Sequence, residues 1–184
     1  MWIILIVIAI LIILWVIAAY NSLVRNKMKV QNAWSQIEVQ LQRRFDLVPN
    51  LVNCVKGYMT HEEETLAKIT ELRTSWANSK NISDKVDLDN QLSGALKTIM
   101  AVSESYPDLK ANQNFSELQE ELRNTENKVS YSRQFYNDSV TMYNTSLMVF
   151  PKSIIAGLFG FTAEKLFVVE NSEAKNAVKV DFSK

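Results

Sequence analysis

Met1 to Ala19 form an unbroken apolar run, and the first charged side chain is Arg25. Nineteen residues at ~1.5 Å each span roughly 28 Å, the thickness of a bilayer's hydrocarbon core. The pattern predicts a membrane anchor over residues 1–24. Trp2, Leu5, Ile8 and Leu11 face lipid, and Trp15 and Tyr20 serve as aromatic anchors at an interface. A cleaved signal peptide fits less well, because no basic residue precedes the run and the run exceeds a usual signal core.

Beyond the anchor the apolar residues recur at helical spacing. Val30, Trp34, Ile37, Leu41, Phe45, Val48, Val52, Val55 and Met59 follow steps of three and four, an amphipathic stripe. Pro49 interrupts it and predicts a kink. Gly57 and Thr60 suggest its end, and Thr60 with Glu63 has the form of a capping box. A second stripe holds Leu66, Ile69, Leu72 and Trp76, and a polar loop follows at Asn78 to Ser83. A third helix starts near Ser83 or Asp84, carries Leu92, Leu96, Ile99 and Val102, and is ended by Pro107. The fourth stripe runs from Phe115 through Leu122, Val129, Tyr136, Tyr143 and Leu147 to Phe150, where Pro151 stops it.

Short links between such helices favour antiparallel neighbours. The expected fold is all-α: a transmembrane helix, then an antiparallel up-and-down four-helix bundle over residues 25–150 with long first and last helices. Residues 151–184 form a hydrophobic segment and a polar tail. Helix four returns toward the membrane, so Ile154, Ile155, Leu158, Phe159 and Phe161 arrive near the bilayer. Three placements are open for them: the interfacial plane, the base of the bundle, or a neighbouring subunit. Val178, Val180 and Phe182 in the tail form a short strand or a loose end.

Composition narrows the function classes. Four glycines and three prolines in 184 residues leave too few turn residues for a β-sandwich or barrel. One cysteine and one histidine exclude an internal disulfide framework and any site needing two of either. A di-iron bundle needs paired Glu-x-x-His motifs. Cys54 beside the apolar stripe reads as a buried, inert thiol. His61 among its glutamates reads as exposed, and Glu117, Glu120 and Glu121 as a solvated face. No catalytic set, cofactor site or metal site is expected.

Twenty basic and 20 acidic side chains give zero net charge, which does not favour nucleic acid as a partner. The order of charges is more informative than the total. Residues 25–44 carry a local +4 and the rest of the chain −4. Arg25, Lys27 and Lys29 directly after the span place the bundle in the cytoplasm and the N-terminus outside. Near the seams, Arg43, Arg44 and Asp46 surround the kink and Arg133 interrupts the fourth stripe. Antiparallel pairing sets Asp46 roughly opposite Arg133, a charge pair that would fix register. Asn50 is positioned to satisfy carbonyls freed by Pro49.

The stretch Ala33-Trp34-Ser35-Gln36-Ile37-Glu38 through Arg43-Arg44-Phe45-Asp46-Leu47-Val48-Pro49-Asn50 resembles the hallmark region of the LemA family. Tyr106-Pro107-Asp108-Leu109, Glu126, Arg133, Tyr136-Asn137, Tyr143-Asn144 and Phe150-Pro151 continue the resemblance. It implies a bacterial, membrane-anchored helical protein with a four-helix bundle. It also implies a link to membrane organisation, by analogy with a branch in magnetosome-forming bacteria. The expected function is a non-catalytic homo-oligomeric scaffold at the inner membrane, partnered by the lipid bilayer. The alternative is an adaptor recruiting a membrane protease or signalling partner through an exposed patch at Trp34 or Trp76.

Overall fold

The computed structural model describes residues 1–59 and 62–168, and every regular element among these is a helix. Helix α1 (Trp2–Asp46) is continuous from the apolar run into the body of the protein. At ~1.5 Å per residue its 45 residues reach about 68 Å. Then come α2 (Val48–Val55), α3 (Glu63–Asn78), α4 (Ile82–Ser103), α5 (Pro107–Lys110), α6 (Gln113–Met148) and α7 (Lys152–Leu158). α1 is long and apolar enough to cross a membrane, and only 6% of its apolar window is buried.

Breaks and starts follow local chemistry. α1 ends before Pro49, whose ring would crowd the carbonyl of Phe45 and which cannot donate to it. Pro49 instead occupies the first turn of α2, where no N–H is required. Asn81 caps α4 by accepting from Ser83 N–H at 3.1 Å. Asn112 caps α6 by accepting from Phe115 N–H at 3.2 Å. Pro107 does not itself stop the third long helix. That helix ends at Ser103, and Pro107 opens the single turn of α5, again because proline suits a first helical position. Thr60 of the expected capping box lies outside the described residues, and α3 starts at Glu63 without a side-chain cap.

α1 and α6 run antiparallel. Lys152, just past α6, donates to Ser22 at one end. Trp34 packs on Tyr136 in the middle, and Arg43 meets Glu121 at the other end. α3 and α4 pair likewise, with Lys85 over the Trp76 ring near their link and Tyr106 donating to Glu62 at the far end. One core joins all of these helices. It contains Ile37, Leu41 and Phe45 of α1, Leu51 of α2, Ile69 of α3, Leu92 and Ile99 of α4, and Val129 and Tyr143 of α6. Burying each large aliphatic side chain contributes about 1.5–3 kcal/mol. Leu41→Ala would cost about 2–5 kcal/mol, since the site is fully enclosed.

The fourth stripe is buried only as far as Tyr143; Phe150 is 77% exposed. A smaller cluster joins Ala19 and Leu23 of α1 to Ile155 and Ala156 of α7. Ile155 therefore packs at the base of the body, while Ile154, Leu158 and Phe159 stay exposed.

Candidate functional site

Two linked arrangements set this molecule apart from a plain helical core. The first is a charged hub. Arg44 lies on the buried face of α1 and is 3% exposed; Asp89 of α4 is fully buried. Arg44 Nη1 donates to Asp89 Oδ1 at 2.7 Å and to Ser93 Oγ at 2.9 Å. Its Nη2 pairs with Glu126 of α6. The other Asp89 oxygen accepts from Arg133 of α6. Two guanidiniums face two carboxylates; Asp89 is enclosed with the arginines, and Glu126, 42% exposed, completes the charge balance from the rim. Desolvation consumes most of the Coulombic gain in such a cluster. Its directional bonds set the mutual register of α1, α4 and α6, which apolar contacts alone specify loosely. The Nε atoms of Arg44 and Arg133 are buried without a hydrogen-bond partner.

The second arrangement is a clasp. After α7 the chain returns along α6 without helical structure, from Phe159 to Val168. Asn144 donates to Glu164 O at 2.9 Å and accepts from Glu164 N–H at 2.9 Å. Asn137 does the same with Phe167, at 3.0 and 2.8 Å. Tyr143 donates to Thr162 O and Tyr136 to Lys165 O. The spacing has a simple origin. Seven helical residues rise about 10.5 Å, and three extended residues cover about 10 Å. Tyr-Asn dipeptides seven apart therefore match strap positions three apart. Burial pushes the Tyr136 and Tyr143 phenols above their ordinary range, and the Glu164 carboxylate pushes the same way. Both stay protonated donors at neutral pH.

The two arrangements touch. Phe167 of the strap is 4% exposed. It lies 6.4 Å from the Trp34 ring and 4.5 Å from the Arg133 guanidinium, a cation–π placement.

The sequence profile of the LemA family matches residues 33–182, the stretch that carries both hub and clasp. The chain belongs to the LemA family. It is 28% identical over 137 residues to Protein LemA of Metamycoplasma hominis, covering 74% of this chain and 63% of that one. It is 24% identical over 174 residues to Magnetosome protein MamQ 2 of Paramagnetospirillum magneticum, covering 80% of this chain and 64% of that one. Magnetosome protein MamQ of Magnetospirillum gryphiswaldense is 22% identical over the same length. The chain thus spans just under two thirds of the length of these relatives.

The structure gives this LemA-family chain's motif residues specific places. Trp2, Leu5, Ile8, Leu11 and Trp15 are exposed along α1. Tyr20 packs tilted against Phe159 and edge-on to Phe161, with ring centroids at 4.9 and 5.7 Å. Arg25 and Lys29 are exposed and Lys27 is half-buried. Arg43 meets Glu121 at the surface. Pro151 precedes α7 as its cap residue.

Three expectations are corrected. Asp46 does not meet Arg133; it is exposed and accepts from Gln42 one turn back. Arg133 turns to Asp89 because α4 intervenes with a fully buried carboxylate. Asn50 does not satisfy freed carbonyls, because the backbone closes without it: Leu47 N–H is directed to both Arg44 O and Phe45 O, the carbonyl that Pro49 leaves free. Asn50 instead lines a shallow cleft of about 630 Å³ with Asn53, Cys54, Asn112 and Asn114. Trp34 and Trp76 form no exposed patch: Trp76 is 5% exposed and stacked on Phe45, and Trp34 is covered by Tyr136 and Phe167.

Cys54 is half-buried at the cleft rather than enclosed as expected; burial raises its thiol above the ordinary value, so it stays protonated at neutral pH. His61 and the tail residues Val178, Val180 and Phe182 lie outside the described residues. Among the described residues no three His, Cys, Asp or Glu side chains are grouped to hold a metal.

Asp89 is the functional residue that stripe reading passed over. It sits three positions before Leu92, on the α4 stripe itself. A carboxylate where the pattern calls for an apolar residue was the available signal. Asn137, Asn144 and Glu126 belong to the family resemblance, but their work needs partners that are distant in sequence.

Proposed function

We propose that this chain is a membrane-anchored scaffold that associates side by side with copies of itself and organises the membrane it sits in. Residues 2–20 are the span and the helical body, an up-and-down four-helix bundle, projects into the cytoplasm. Arg25, Lys27 and Lys29 just past the span support that orientation. The observation that carries the association is on the outer face of α6. Tyr131, Phe135 and Met142 recur there at steps of four and seven, and are 75%, 53% and 55% exposed. Large apolar side chains aligned on one exposed helix face mark an interaction surface. The face ends at the membrane-proximal end of α6, where neighbours held in one bilayer meet. Relatives named as magnetosome proteins support membrane organisation as the biological setting.

Sedimentation or native mass spectrometry of the full chain in mild detergent tests this reading. The expected result is a discrete oligomer that dissociates in the Phe135→Glu, Met142→Glu double variant. A wild-type protein that is monomeric throughout overturns it.

A further inference from the structure

We infer that the turn and helix Met148–Phe159 form a second membrane contact, a foot seated in the interfacial layer of the bilayer that α1 crosses. The inference rests on the reading of residues 2–20 as the span.

Placement comes first. Ile155 and Ala156 pack against Ala19 and Leu23. Lys152 Nζ donates to Ser22 Oγ at 3.0 Å, and the Tyr20 ring packs tilted against Phe159. The foot is therefore level with the end of the apolar run, within about one turn of α1. It is also held firmly: α6 leads into it, and the clasp on Asn144 and Tyr143 ties down the chain that leaves it.

Its surface chemistry comes second. Beyond the side chains that pack on α1, the foot turns large apolar groups outward. Met148 is 73% exposed, Phe150 77%, Ile154 53% and Leu158 74%. In water such a patch on so short a segment would be costly. Charge follows the same boundary. Between Asp138 and Glu164 the only charged side chain is Lys152, and on α1 no acid occurs before Glu38. Both chain segments at this level thus lack carboxylates and offer only basic groups to anionic headgroups. α7 has seven residues, too few to span, so an in-plane seat a few ångströms deep is the geometry available. Continuity with the span selects lipid as the occupant. The separate α6 face, with Tyr131 and Phe135, lies further up the helix and is left for protein contact.

The test uses the full chain with Cys54→Ala, reconstituted into vesicles of phosphatidylethanolamine and phosphatidylglycerol. Single cysteines at Leu158→Cys, Tyr131→Cys and Ile8→Cys carry an environment-sensitive fluorophore. Leu158 is exposed, so the label is tolerated; circular dichroism verifies the fold of each variant. The Leu158 label is expected to lose most of its emission to a quencher attached to shallow lipid positions and to resist aqueous iodide. The Tyr131 label should not respond to the lipid quencher. A Leu158 label quenched by iodide and untouched by the lipid quencher overturns the foot. So does one shielded from both quenchers, which would indicate a neighbouring copy. The Ile8 label separates the two readings. If it fails to respond to a deep lipid quencher, the span itself is wrong; if it responds and Leu158 does not, only the foot is wrong.

Discussion

Along the outer face of α6 the half far from the apolar run carries Glu120, Asn124 and Lys128, all exposed, and the near half carries Tyr131, Phe135 and Met142. The inner face is apolar in both halves, from Phe115 and Leu122 to Val140 and Tyr143. One helix thus keeps a single buried periodicity while its exterior changes from hydrated to apolar. The two halves also differ in what holds them. The far half relies on packing and on surface pairs such as Arg43–Glu121. The near half has the clasp and the α7 cluster, and the hub spans the junction of the halves, from Glu126 to Arg133. From the hub toward the apolar run, geometry is specified by directional bonds; beyond the hub, apolar packing and surface pairs suffice.

Substitutions can break that contrast, and the hub should show the largest effect. Asp89→Asn leaves two enclosed guanidiniums against the single carboxylate of Glu126. A loss of about 3–5 kcal/mol is expected in denaturant unfolding of the full chain in detergent. A loss no greater than that of an exposed pair would remove the hub from the comparison. Next is Asn144→Ala, which removes both bonds to Glu164 at about 1–3 kcal/mol. It should also raise protease cleavage within 159–168; unchanged cleavage would mean that Asn137, the two tyrosines and Phe167 hold the strap without Asn144.

Tyr143→Phe deletes one donor and retains the ring, for about 1 kcal/mol. The same bond gives a pH signature. The folded phenols of Tyr136 and Tyr143 lie above the ordinary value of 10.0. Their contribution is complete below pH 10 and is lost as pH rises through the higher folded values. Strap cleavage should therefore increase only in that alkaline window, and the increase should shrink in the Tyr136→Phe, Tyr143→Phe double variant. The smallest effect is expected for Arg43→Ala. Arg43 and Glu121 are 49% and 41% exposed, and solvent screening holds such a pair to about 0.2–1 kcal/mol. A larger loss would show that the far half also depends on specific charge pairing.

Periodicity made the long helices legible because each buries a stripe, and a stripe repeats locally. Leu66, Ile69, Leu72 and Trp76 on α3 were read at their sites for that reason. Proline was legible in effect but not always in role: Pro49 interrupts the first stripe as read and opens α2, whereas Pro107 opens α5 after α4 has already ended at Ser103. The clasp was not legible, because Asn and Tyr side chains that bond to a backbone leave no pattern in the segment they hold.

The sequence by itself determined the apolar run, the basic residues after it, the long amphipathic helices and the family. These depend on local composition and on spacing along one helix. The tertiary structure alone decided that Asp89 rather than Asp46 receives Arg133, since partner choice depends on which helix lies between. It alone decided that residues 162–167 lie against α6 and that Ile155 turns inward while Leu158 turns outward. A short segment without a long stripe has no local preference strong enough to choose its face; the surfaces it meets make that choice.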